Sequence, residues 1–227
     1  IAAWAKPVVV LSGGEPLLRP DVFDLASHGT SLGLSMAMAT NGTLVDAEVC
    51  KKLKASGIRM VSLSLDGSTA VTHDKFRQQP GAFNGVVAAA SLFREHQIPF
   101  LINSSFTKRN QAEIPEVYQL AKDLGAQAWY LFMIVPTGQA REVKHELLTP
   151  EEEVEILRWH YRTERAEKQM KMRPICAPQY FRIVREEAAK LGEKYEQRHL
   201  SFGTGVSKGC LAGQALPRPQ RLVAERR

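Results

Sequence analysis

The chain has 227 residues, enough for one domain or one and a half with a sizeable core of its own. Hydrophobic residues are 44% and charged residues 24%, which excludes collagenous, coiled-coil and wholly disordered chains. The net charge of +6 falls mostly beyond residue 136 and is not interleaved with stacking aromatics, so an acidic small molecule or a solvated face is expected there rather than nucleic acid.

No apolar run reaches the ~18 residues of a membrane span, and the first residues lack the basic, apolar and small-residue order of a signal peptide. A soluble cytoplasmic protein, with no membrane partner, is the expectation. Cys50, Cys176 and Cys210 lie far apart and form no disulfide framework. The chain opens at Ile1 on what reads as a strand, and is therefore expected to be the core of something longer.

Apolar runs of strand length fall at residues 7–11, 34–39, 58–65, 99–106 and 128–135. Between them, residues 21–31, 46–56, 83–96 and 114–124 carry helical periodicity. In the second of these, Val49 and Leu53 share a face with the nearby Ala47, while Lys51, Lys52 and Lys54 take the other. A strand start roughly every 30 residues matches one strand-plus-helix unit of a β/α barrel, and strands poor in charge suit a parallel sheet covered by helices. The fold class is therefore α/β, with a partial parallel barrel over residues 1–138.

Beyond that point the rhythm changes. Thr149 caps a long helix running to about residue 168, with Pro150 at its first position and Glu151, Glu152 and Glu153 in its first turn. Pro174 and Pro178 break the chain before a second charged helix over 179–195, so residues 139–199 read as a helical extension. Residues 200–227 are glycine-rich around Cys210 and end in a basic tail expected to be disordered.

Ligands of such folds sit at the C-terminal ends of the strands. The first strand leads into Ser12-Gly13-Gly14-Glu15-Pro16, where two glycines let the main chain approach a ligand and a carboxylate can accept from an amine. A plain βα turn fits the same residues. Ser62, Ser64 and Asp66 alternate with Val61, Leu63 and Leu65, so the polar set shares one face near the barrel mouth and needs partners there, from a ligand or from neighbouring backbone. Arg77, read as part of the following loop, either clamps a carboxylate or stays in solvent. Cys50 reads as core.

Taken in order, Ser12 to Asp21, Thr40-Asn41-Gly42, and Ser64-Leu65-Asp66-Gly67 with His73, Asp74 and Arg77 resemble radical S-adenosylmethionine (SAM) enzymes that carry a C-terminal auxiliary-cluster (SPASM or twitch-type) domain. Residues 129–138, 173–178 and 208–214 resemble the alternative haem-biosynthesis group of that branch, its haem b synthases above all. The resemblance implies a (β/α)6-type barrel. It places Gly13, Gly14 and Glu15 at the turn that binds the amino group of SAM, Ser64 and Arg77 at its carboxylate, and Asn103 toward the adenosine. Cys210 matches the first ligand of an auxiliary iron–sulfur cluster.

The resemblance also implies a four-iron four-sulfur cluster on a Cys-x3-Cys-x2-Cys motif, a spacing absent here. The strand and loop that carry it are expected to precede Ile1, and the family's further auxiliary cysteines do not follow Gln214. Cys176 is left open between a ligand, a substrate-side residue and a structural thiol. In the intact protein, the implied reaction is oxidative decarboxylation of propionates of iron-coproporphyrin III to vinyl groups, giving haem b, with a donor such as ferredoxin or flavodoxin. This stretch alone is expected to be inactive.

A tetrapyrrole substrate with four propionates would suit Arg173, Arg182, Arg185 and Arg198, though a solvated helix face accounts more readily for any single one of them. Two other readings remain: a didecarboxysirohaem deacetylase or other radical SAM enzyme acting on a tetrapyrrole or peptide, and a noncatalytic barrel that binds an anionic small molecule.

Overall fold

A computed structural model describes residues 4–135 and 144–192. The expectations for Gly138, Arg198, Cys210 and the C-terminal tail lie outside the described residues. Six strands, β1 (Val8–Leu11), β2 (Ser35–Thr40), β3 (Ile58–Ser64), β4 (Phe100–Phe106), β5 (Ala128–Met133) and β6 (Lys171–Ile175), form one sheet in sequence order. Every neighbouring pair is parallel. Among the described residues β1 and β6 are the two edges and do not pair with each other, so the barrel is partial.

Parallel strands added in sequence order by right-handed crossovers place the connecting helices on one face. Those helices are α1 (Val22–Ser31), α2 (Ala47–Ala55), α3 (Ala70–Arg77), α4 (Ala82–Glu95), α5 (Ile114–Asp123), α6 (Pro150–Ala166) and α7 (Tyr180–Lys190). The core lies between sheet and helices: Val61, Leu63 and Leu65 are fully buried, as are Val86, Ala89, Ala90 and Phe93 of α4. Trp129 of β5 is fully buried against Tyr118 of α5 and Trp159 of α6. Cys50 is core as expected.

The intervening residues of the strands, Ser62, Ser64, Asn103, Ser105, Tyr130, Phe132, Arg173 and Ile175, are all partly exposed. They point away from the helical layer, because successive side chains of a strand alternate between faces. The polar alternation of Ser62 and Ser64 thus marks the open face of the sheet.

Two elements depart from the sequence reading. The segment holding His73 and Arg77 is a helix rather than a loop, capped by Thr69, whose Oγ1 accepts from the Thr72 amide at 3.3 Å. It buries only His73 among its eight residues, so it carries almost no apolar stripe to announce it. The extension read as purely helical also contains β6, paired with β5 through Trp129↔Met172 and Leu131↔Pro174. Pro174 does not break this strand, because an edge strand needs to donate hydrogen bonds on one side only.

Candidate functional site

The C-terminal ends of β1 and β2 are tied together by Glu15. Its Oε1 accepts from the Leu17 amide at 3.1 Å and from the Thr40 hydroxyl at 2.8 Å, and its Oε2 accepts from the Asn41 amide at 2.8 Å. A carboxylate offers about four acceptor directions, so Oε2 keeps one for a further donor. Glu15 therefore fixes the rim of the sheet and leaves an acceptor on it.

Gly13 and Gly14 are exposed just before it, and a Cβ built on either would meet no atom within 4 Å. The backbone there is open to a ligand. Gly13 has φ of 153°, a conformation that a side chain would strain.

Ser64 ends β3 and stands opposite Asn103 of β4 in the parallel register. Asn103 is opposite Tyr130 of β5, which is opposite Arg173 of β6. Four polar side chains thus form one row across the open face, spanning about 14 Å at roughly 4.8 Å per strand. Asn103 Oδ1 and Arg173 Nε are both buried without a hydrogen-bond partner among the described residues. Burial pushes the Tyr130 phenol up, and the charge of Arg173 works against it.

Arg77 reaches the same rim from the last turn of α3. Its Nε donates to Oδ2 of the fully buried Asp66, two residues beyond Ser64. The pairing uses one edge of the guanidinium; no other hydrogen bond or ion pair of Arg77 occurs among the described residues. Asp66 is held on its other side by the Ser105 amide at 2.7 Å, and its own amide donates to His73 Nδ1 at 3.0 Å. Burial, aided by the Arg77 charge, brings the His73 pKa down to about 4, so this ring is neutral.

The structure thus brings Gly13, Gly14, Glu15, Ser64, Asn103 and Arg77 to one end of the sheet. Sequence reasoning missed the Arg77–Asp66 pair, for which the spacing of eleven residues gives no local signal. It also missed Tyr130, whose place is set by register alone.

SAM fits this end of the sheet: the open glycine backbone, the spare acceptor of Glu15 and the unsatisfied Asn103 Oδ1 are complementary to a zwitterionic nucleoside. An iron–sulfur cluster does not fit the described residues, which hold no group of three or more His, Cys, Asp or Glu side chains able to bind a metal. Cys50 is buried in α2, and Cys176 follows β6 with φ of 57°.

Comparison with known proteins agrees with this architecture. The Radical SAM superfamily model matches residues 1–121. The chain is 43% identical to the AdoMet-dependent heme synthase of Methanosarcina barkeri (strain Fusaro / DSM 804) over 213 residues, 94% of this chain and 60% of that protein. It is 29% identical to the Fe-coproporphyrin III synthase of the same organism, over 93% of this chain and 56% of that one. The chain therefore spans rather more than half the length of these curated relatives.

Among solved structures, native anSMEcpe with bound AdoMet and Cp18Cys peptide superposes with a TM-score of 0.61 at 20% identity, covering 86% of this chain and 56% of the other. That likeness establishes the fold. With a parallel sheet in sequence order, a glycine-glycine-glutamate turn at its rim and a superfamily match across more than half its length, the chain belongs to the Radical SAM superfamily.

Proposed function

We propose that this chain is the sheet portion of a SAM-dependent haem synthase, which decarboxylates propionates of iron-coproporphyrin III to vinyl groups. The observation that carries the reading is the rim itself: an open glycine backbone beside Glu15, one cross-strand step from the row that begins at Ser64. Identity of 43% to a heme synthase, against 29% to an Fe-coproporphyrin III synthase from one organism, favours the haem-synthase reading.

In this reading Gly13 and Gly14 lend backbone to the methionine end of SAM, and the free acceptor of Glu15 takes its ammonium. The Arg77 edge not used by Asp66, together with the Ser64 hydroxyl, takes the SAM carboxylate, each charge-assisted bond contributing about 1.5 to 3 kcal/mol. Asn103 meets the adenosine. When bound, SAM supplies, on one-electron reduction, the oxidant for hydrogen abstraction.

What the chain's own residues do is hold two reactants in register and keep charge balanced around them. Each reacting propionate loses a hydrogen atom to the SAM-derived oxidant and then carbon dioxide and one electron to become a vinyl group. The intact protein therefore needs an electron donor such as a ferredoxin or flavodoxin to reduce SAM, and a one-electron acceptor for the electron the substrate gives up. A second cluster near Cys210 belongs to the same proposal.

The test is incubation of the full-length, anaerobically reconstituted protein with SAM, a reductant and either iron-coproporphyrin III or didecarboxysirohaem, with products identified by mass. Haem b from the first supports the reading. Turnover of the second alone would transfer the protein to the deacetylase.

A further inference from the structure

Of the four arginines that could meet the substrate's carboxylates, three lie among the described residues, and their settings differ. Arg182 lies on α7, exposed, and its Nη1 donates to Glu186 at 2.6 Å. Arg185 is likewise exposed on α7. Arg173 differs from both: it lies on β6, on the open face of the sheet, in the same row as Ser64, Asn103 and Tyr130.

No ion pair of Arg173 occurs among the described residues, and its Nε is buried with no acceptor. A buried guanidinium donor without a partner is costly, and a sheet face has room for neutral alternatives. The geometry points to Arg173 as the group that binds a carboxylate of the substrate on the floor of the open face, with Tyr130 between it and the SAM end of the row. This deepens the haem-synthase reading and rests on it.

The spacing supports this division of the face. Arg173 is two strands from Asn103, about 10 Å at the usual strand separation. A nucleoside at Ser64 and Asn103 therefore leaves Tyr130 and Arg173 uncovered, and a substrate anchored at Arg173 lies alongside it. A fork of planar donors is the side chain suited to hold a carboxylate in one orientation, which a reaction selecting among several propionates requires.

The experiment is equilibrium titration of the full-length reconstituted protein with iron-coproporphyrin III, read by its absorption spectrum, and separately with SAM. Arg173→Gln is expected to weaken tetrapyrrole binding about tenfold to a hundredfold, the range for losing one charge-assisted pair, and to leave SAM binding within about twofold. Arg182→Gln should change neither. Arg173→Lys keeps the charge and the stem, so it should fold and recover only part of the tetrapyrrole affinity; it decides the matter if Arg173→Gln loses SAM binding as well.

Binding of iron-coproporphyrin III by Arg173→Gln or Arg173→Lys as tightly as by the wild type would overturn this inference alone. A wild-type protein that binds no tetrapyrrole would overturn the haem-synthase reading and the inference with it.

Discussion

Arg77 Nε donates to Oδ2 of Asp66, a carboxylate with no exposed surface. This pair pins α3 to the end of β3. Removing the cation leaves a buried carboxylate supported only by the Ser105 amide. Arg77→Ala should cost about 3 kcal/mol, the low end for breaking a buried pair because a third of the arginine is exposed. Urea unfolding measures it, and Asp66→Asn in the same background should restore part of the loss. Additive losses from the two changes would mean that the pair is not coupled.

Gly14 separates fold from ligand binding. An added Cβ meets no atom within 4 Å, and its φ is not in the left-handed region. Gly14→Ala should therefore alter stability by no more than about 0.5 kcal/mol. The same methyl sits where the main chain would approach SAM, so calorimetric affinity should fall at least about tenfold. A variant that binds SAM normally would remove this turn from the site.

Gly67 behaves in the opposite way. A Cβ there would lie 2.6 Å from the His73 amide nitrogen and 3.0 Å from the Thr72 carbonyl carbon, both backbone atoms of α3. Gly67→Ala must push α3 off the sheet, at a cost of about 1–3 kcal/mol, and loosen the Arg77–Asp66 contact with it. Thermal unfolding should show the loss, and an unchanged melting temperature would contradict the packing described.

His160 makes the protein acid-sensitive. The ring is fully buried between Trp129 and Tyr180; Tyr180 spends its proton on Glu164 at 2.6 Å, so His160 Nδ1 donates to the Tyr180 oxygen at 3.0 Å. Its Nε2 is then a bare acceptor without a partner among the described residues. Burial lowers the pKa to about 3. The unfolded chain binds this proton near pH 6.5, so the stabilisation is complete above 6.5 and is lost as pH falls toward 3, at up to about 1.4 kcal/mol per pH unit. Unfolding between pH 7 and 4.5 should show this slope, and His160→Asn should reduce it by about one proton's worth. An equal slope in both proteins would refute the assignment.

How much was legible depended on where the signal lay. The five apolar strands could be read directly, since burial on the helical face demands Val61, Leu63 and Leu65, whereas the glycine-glycine-glutamate turn was singled out by its family resemblance, a plain βα turn fitting the same residues. Helix α3 was missed because polar residues make most of its surface, and β6 because Pro174 speaks against a strand anywhere but at an edge. Neither error is local: edge position and helix docking are properties of the assembled sheet.

The order of residues by itself determined the alternation of strand and helix and the parallel class of the sheet, because periodicity is written residue by residue. The tertiary structure alone decided that Ser64, Asn103, Tyr130 and Arg173 stand side by side, and that Arg77 answers Asp66. Register between strands is set by how whole faces pack against the helices, and a shift of a single residue would have turned that row into the core.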